Sequence, residues 1–292
     1  MKSYKYIFLL AFMILGLIGL GNFYSPDANL HLIACDVGQG DAILAIYKNT
    51  QVLIDGGPGE EILDCIGKHV PFWDREIELV VLTHPQVDHY GGLIEVFKRY
   101  KVDTFLANGL DSSASSYQVL KNAVGGNGSR VVSPREGMAL RVGMIYLDIL
   151  APSQRLLEGQ APNSQTNILG AFDSKRDAND FSIVAILRLG EFDALLTGDI
   201  SPQEIPEILA GGRMHDVEYI KVPHHGSKNG LTLDLLEAST PEMAVISVGK
   251  NNYGQPSQET LTMLKDKGVK IFRTDELGDI EVVSDGLSFW TE

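Results

Sequence analysis

The sequence predicts an α/β fold. Three observations lead there: apolar, strand-like runs alternate with helical stretches, the same plan recurs in the second half of the chain, and polar clusters stand at the ends of predicted strands. At 292 residues the chain has room for one large layered domain with a sizeable core. A net charge of −14 and a pI near 4.9 speak against a protein that coats nucleic acid nonspecifically, because phosphate binding relies on clustered Lys and Arg. Two cysteines, Cys35 and Cys65, are too few for a disulfide scaffold; they form either one bridge or buried thiols, and buried thiols are the expectation.

The chain opens with Lys2 and Lys5 followed by an uninterrupted apolar run, Tyr6 to Gly21, which is the order of a secretory signal. The run is shorter than the ~20 residues of a full span. Residues 1–21 therefore read as a signal peptide, with small residues Gly19 and Gly21 at the cleavage point, or as an N-terminal membrane anchor; residues 22–29 read as a linker and 30–292 as the domain. Lysines ahead of the run keep that end in the cytoplasm and place the rest outside, so the expected location is extracytoplasmic, secreted or anchored.

Leu30 to Cys35 is apolar and extended, and Asp36 to Asp41 is a glycine-rich turn. Ala42 to Tyr47 and Gln51 to Ile54 continue as strands, ending at Asp55-Gly56-Gly57, where glycine lets a turn come close to a ligand. A helix over Glu60 to Lys68, a strand at Leu79 to Leu82 and a helix from Leu93 to Tyr100 follow. Val102 to Leu106 reads as a strand, and Ser115 to Val124 as a helix stopped by Gly125-Gly126. Short strands at 131–132, 139–142 and 145–150 precede a polar stretch, 151–179, expected as a long loop.

The second half reads as strands at Phe181 to Leu189 and Ala194 to Leu196, a helix at Gln203 to Leu209, and a strand at Val217 to Val222 ending in Pro223-His224-His225-Gly226-Ser227. A helix at Leu231 to Glu237, a strand at Met243 to Val248, a helix at Thr260 to Lys267, and strands at 269–272, 280–283 and 287–290 close the chain. Similar element order without similar sequence suggests a two-layer duplication rather than a solenoid.

Chemistry gathers at strand ends. Thr83 to Gly92, THPQVDHYGG, sets His84, Asp88 and His89 in a loop after a buried strand, where side chains can fan toward one point. The plain alternative has these residues capping the next helix. Asp55, Asn179 with Ser182, Asp199, and His224 with His225 stand at further strand ends, and open α/β sheets bind ligands there. Imidazole and carboxylate suit Zn, Mn or Fe, and metal-assisted hydrolysis is the reaction such a set would serve.

His84-x-x-x-Asp88-His89, with Asp55 upstream, Thr197-Gly198-Asp199 downstream and a histidine after the next strand, resembles the metallo-β-lactamase superfamily. DVGQGDA at 36–42, LIDGG at 53–57, NDFS at 179–182, LLTGD at 195–199, KVPHHGSK at 221–228, SVGKNNYGQP at 247–256 and RTDELGDIEV at 273–282 resemble the C-terminal hydrolase domain of ComEC-type competence proteins of DNA uptake and their free-standing relatives. The resemblance implies an αββα four-layer sandwich and a hydrolase with one or two divalent ions, Zn or Mn. It makes His84, Asp88, His89, Asp199 and one of His224 or His225 the metal ligands, and Asp88 and Asp199 the catalytic carboxylates. Asp55, Asn179, Ser182, Ser227 and Gln255 would support the ligands or contact substrate. Single-stranded DNA or another phosphodiester is the implied substrate, the N-terminal segment would bring the membrane, and a DNA-uptake channel is the implied partner.

Two residues depart from the family pattern. Gln86 stands where a histidine or aspartate ligand is expected, and Gln255 where the competence branch has histidine, so one firmly held ion or a weak pair is expected. A catalytically weakened pseudoenzyme or binding module, and a hydrolase of a cell-envelope small molecule, are the alternatives. Lys221, Lys228 and Lys250 border the motif turns and are expected to line the cleft.

Overall fold

The computed structural model of the chain describes residues 6, 8–13, 26–160 and 169–292. The predicted leader, residues 1–21 with its cleavage point, lies outside the described residues apart from residue 6 and a helical stretch at 8–13. No helix among the described residues is long and apolar enough to cross a membrane.

Two sheets pack face to face. The first has eight strands in the order β15-β14-β1-β2-β3-β4-β5-β6, and the second has seven in the order β13-β12-β11-β10-β9-β8-β7. In the first sheet β1 (Leu30–Ala34), β2 (Ile43–Tyr47) and β3 (Thr50–Ile54) form an antiparallel meander, then β4 (Glu76–Leu82), β5 (Lys101–Ala107) and β6 (Arg130–Val132) add in parallel. In the second, β7 (Ala139–Val142), β8 (Ile145–Ala151), β9 (Val184–Leu189) and β10 (Phe192–Leu196) are antiparallel, and β11 (Tyr219–Lys221), β12 (Met243–Ile246) and β13 (Lys270–Arg273) continue in parallel. The last strands, β14 (Ile280–Ser284) and β15 (Phe289–Thr291), return to the first sheet, where Leu30 pairs with Ser284.

Side-chain alternation builds the layers. On β1, Leu30, Leu32 and Ala34 enter the core between the sheets, facing Leu187, Ala194 and Val245 of the second sheet, while Ile33 points to the other face. That outer face is covered by α1 (Glu61–His69), α2 (Val87–Tyr90), α3 (Leu93–Arg99) and α4 (Ser115–Asn127), through Ile62, Ile66, Tyr90, Leu93, Phe97 and Leu120. The outer face of the second sheet is covered by α6 (Ile205–Ala210), α7 (Leu233–Ser239) and α8 (Gln258–Asp266), through Ile205, Ile208, Leu235, Leu236 and Leu264. The result is the four-layer αββα sandwich.

Three expectations are corrected. Cys35 and Cys65 are bonded as a disulfide, not free thiols: β1 and α1 bring their Cα atoms to 5.9 Å, within bridging range. Helix α4 runs through Gly125 and Gly126 and ends at Gly128, whose φ of 80° takes the left-handed C-cap. The expected loop at 151–179 contains α5 (Gln154–Gln160) and ends in a 3-10 turn, Ala178–Phe181, so β9 starts at Val184 instead of Phe181.

Candidate metal centre

The C-terminal ends of β1, β3, β4, β10 and β11 lie at one end of the sandwich, and the loops that leave them interlock. Asp41 N–H donates to the Asp88 carbonyl at 3.2 Å, Gly56 N–H to the His89 carbonyl at 2.7 Å, and Gly57 N–H to the Asp41 carbonyl at 2.8 Å. Gly40 is required at this crossing, because a Cβ there would collide with the Asp88 carbonyl. Asp55, His224 and His225 hold left-handed backbone at φ 59°, 53° and 53°. Such strain persists only where the surroundings over-determine it, and here it turns the Asp55 and His225 side chains inward.

Three histidines are oriented alike. His89 Nδ1 lies 2.7 Å from Asp55 Oδ2, His225 Nδ1 lies 2.9 Å from the Ser247 carbonyl, and His84 Nδ1 lies 3.1 Å from Thr83 Oγ1. Thr83 Oγ1 itself donates to Asp55 at 2.7 Å, which leaves it an acceptor for His84. With Nδ1 donating, each ring presents the lone pair of Nε2. All three Nε2 atoms are buried and lack a hydrogen-bond partner.

Carboxylates face these nitrogens. Asp199 Oδ2 lies 3.4 Å from His89 Nε2 and 3.3 Å from His225 Nε2, and Asp88 Oδ2 lies 3.5 Å from His225 Nε2. His84, His89 and Asp199 form one group able to hold an ion, and Asp88, His89 and His225 another. Buried polar atoms left without partners are costly, so these two groups, with three unpartnered Nε2 atoms and two carboxylates between them, fit divalent metal. Zn and Mn both accept this nitrogen and oxygen donor set.

The charges respond to one another. Burial and the neighbouring His89 push His84 down to about 3. Burial opposes a charged His225, yet Asp199 and Asp41 raise it to about 10. Burial likewise disfavours charge on Asp88, but His225 and His89 bring it down to about 2. Asp199 sits well below the usual carboxylate range, held there against burial by His225, Lys221 and His89. A divalent ion held by this cluster would supply the positive charge that protons on His89 and His225 supply without it.

Not every expected residue joins the cluster. His225 presents Nε2 to the carboxylates; His224 is half-buried, and its contribution is a backbone N–H that donates to Asp199 Oδ1 at 3.1 Å. Asp55 backs His89, and Ser182 Oγ accepts from Asp199 N–H at 3.3 Å. Asn179 is buried with Oδ1 unpartnered, while the Ser227 hydroxyl accepts from Asn229 N–H in its own turn. Gln255 accepts from Gln39 at 2.8 Å and donates to the His224 carbonyl at 3.3 Å, so it braces the rim; Gln86 is half-buried. Lys228 and Lys250 are exposed, but Lys221 is buried, contrary to the expectation that it lines the cleft. Asp41 was not legible as a site residue; the one signal was that it closes a second acidic glycine turn like that at Asp55.

Comparison with known proteins agrees with this geometry. Residues 35–116 match the model of the metallo-beta-lactamase superfamily. ComE operon protein 3 of Bacillus subtilis (strain 168) is 26% identical over 272 residues, covering 84% of this chain and 32% of its own length. Competence protein ComA of Neisseria gonorrhoeae is 25% identical over 265 residues, covering 88% of this chain and 32% of its own. The chain thus spans about a third of the length of these relatives. Among solved structures, the metallo-beta-lactamase fold protein YhfI from Bacillus subtilis matches with a TM-score of 0.55 at 10% identity, covering 86% of this chain and 99% of that one. The chain resembles the competence proteins over most of its length, and its fold is the metallo-β-lactamase fold.

Proposed function

We propose that the chain is a metal-dependent hydrolase of phosphodiesters, with single-stranded DNA as the substrate class its relatives suggest. One observation carries the reading: three imidazoles with engaged Nδ1 atoms hold buried, unpartnered Nε2 atoms, and Asp88 and Asp199 group with these histidines at the spacing that holds an ion. His84, His89, His225, Asp88 and Asp199 would hold one or two divalent ions, Zn or Mn. Such an ion supplies Lewis-acid polarisation of a phosphoryl oxygen and acidifies water. Asp55 fixes the His89 tautomer, and Ser182 and the His224 N–H fix Asp199. Asp88 has 30% of its side chain exposed, against 2% for Asp199, so it is the carboxylate placed to orient water or take its proton.

An extracytoplasmic location, and work beside a DNA-uptake channel, fit this reading. The apolar N-terminal run supports the first, as does the Cys35–Cys65 disulfide, a bond that persists in oxidising compartments. The names of the competence relatives support the second. Gln86 and the rim-bracing Gln255 favour a second reading, a metal-binding pseudoenzyme. Metal content together with activity on bis(p-nitrophenyl) phosphate, single-stranded DNA and nitrocefin separates them. Phosphodiester turnover that needs Mn or Zn supports the hydrolase, bound metal without turnover of any substrate supports the pseudoenzyme, and protein that retains no metal after loading defeats both.

A further inference from the structure

Lys221 is a fully buried cation inside the cluster that the functional reading leaves unexplained. It follows Tyr219 by two positions on β11, so both side chains leave the same face of the strand, Tyr219 into the core between the sheets and Lys221 toward the centre. Its ammonium meets Asp41 Oδ2, Asp199 Oδ1 at 3.2 Å and the Gly198 carbonyl at 2.9 Å. Three acceptors match its three donors, so nothing is left for a substrate phosphate. Asp41, Asp199 and His225 also form a group whose ligand atoms lie within 4.8 Å of one another, the spacing that holds an ion. Asp41 Oδ1 and His225 Nε2 in that group are buried without hydrogen-bond partners.

We propose that the Lys221 ammonium serves as the resident cation for Asp41 and Asp199, the two carboxylates of the Asp41–Asp199–His225 group, and so limits the number of divalent ions the centre takes. The proposal rests on the metal-centre reading. An ammonium and a divalent ion compete for the negative charge of the same two carboxylates, and the ammonium is covalently tethered to β11. Together with the His224 N–H it ties back Asp199 Oδ1, leaving Oδ2 as the oxygen that faces His89 and His225. The centre then has one permanent positive charge where a neutral side chain would leave Asp41 and Asp199 to recruit another ion.

The test compares wild type, Lys221→Met and Asp41→Asn/Lys221→Met, each stripped with chelator, reloaded with Mn(II), freed of excess and measured by emission spectrometry, with unfolding temperatures before and after loading. Lys221→Met is expected to retain one more Mn(II) per chain than wild type and to gain more thermal stability from loading; the double variant is expected to return to the wild-type count. Lys221→Met that folds only when Mn(II) is present also supports the proposal. An unchanged count and affinity in Lys221→Met overturns it. So does a Lys221→Met that stays unfolded with Mn(II) while the double variant folds. A wild type that binds no Mn(II) overturns the metal-centre reading itself, a different result from an unchanged count.

Discussion

Asp55 is 1% exposed and acts through His89 directly and through Thr83 on His84, so its replacement separates orientation from ligation. Asp55→Asn is expected to lower Mn or Zn affinity about 10–100-fold, as measured by competition with a chelating dye, without loss of fold. Asp88→Ala removes the most open carboxylate and is expected to lower phosphodiester turnover by about 10²–10⁴-fold; turnover equal to wild type would remove Asp88 from the site. A pH effect sits far from the centre, at His31. Burial disfavours its charge, but Glu281 at 2.6 Å and Asp27 at 3.0 Å raise its pKa above the ordinary histidine value. A raised folded-state pKa means that this contribution is complete below about pH 6.5 and is lost as pH rises through the folded value. The group is partly exposed, so the expected size is under about 1 kcal/mol, seen as a shallower fall in stability above pH 6.5 in His31→Gln than in wild type.

At the scale of elements, the Pro223–Gly226 turn does the selecting that its sequence left open. His224-His225 offers two equivalent imidazoles to a reader of the chain, and only left-handed backbone at both residues decides that His225 faces Asp88 and Asp199. His225→Ala is expected to lose bound metal while His224→Ala keeps it, a difference that metal analysis reads directly. The disulfide was illegible for a related reason: Cys35 directly follows β1 and Cys65 lies within α1, and their approach follows from how α1 packs on the sheet. Closing a loop with a sequence separation of 30 should contribute about 3–4 kcal/mol, so Cys35→Ser/Cys65→Ser should lower the denaturation midpoint accordingly. Strand order along the chain was readable from apolar runs, but the Gly125-Gly126 stop was not, because a helix packed through Leu120 and Val124 tolerates glycine on its exposed side.

At the scale of the molecule, the αββα arrangement was legible only through motif resemblance; alternation of elements alone led no further than α/β. Lys221 shows the same limit, since a lysine beside a histidine pair reads as lining the cleft until the packed sheets bury it against Asp41 and Asp199. Because the candidate ligands come from both sheets, a bound ion would tie them together. Adding Mn or Zn at a hundred times its dissociation constant is expected to stabilise the fold by about 2.7 kcal/mol, roughly 5–10 °C, and chelation to reverse it. The direction of β1 has a practical outcome as well. The chain enters this strand at Leu30 and leaves it at Ala34 toward Asp41, so the two ends of β1 lie about 13 Å apart with the metal centre at the exit. Protein immobilised on a bead or sensor chip by a tag placed ahead of Pro26 should therefore present its cleft to the flowing solution, whereas random coupling through surface lysines should bury a fraction of the clefts against the support.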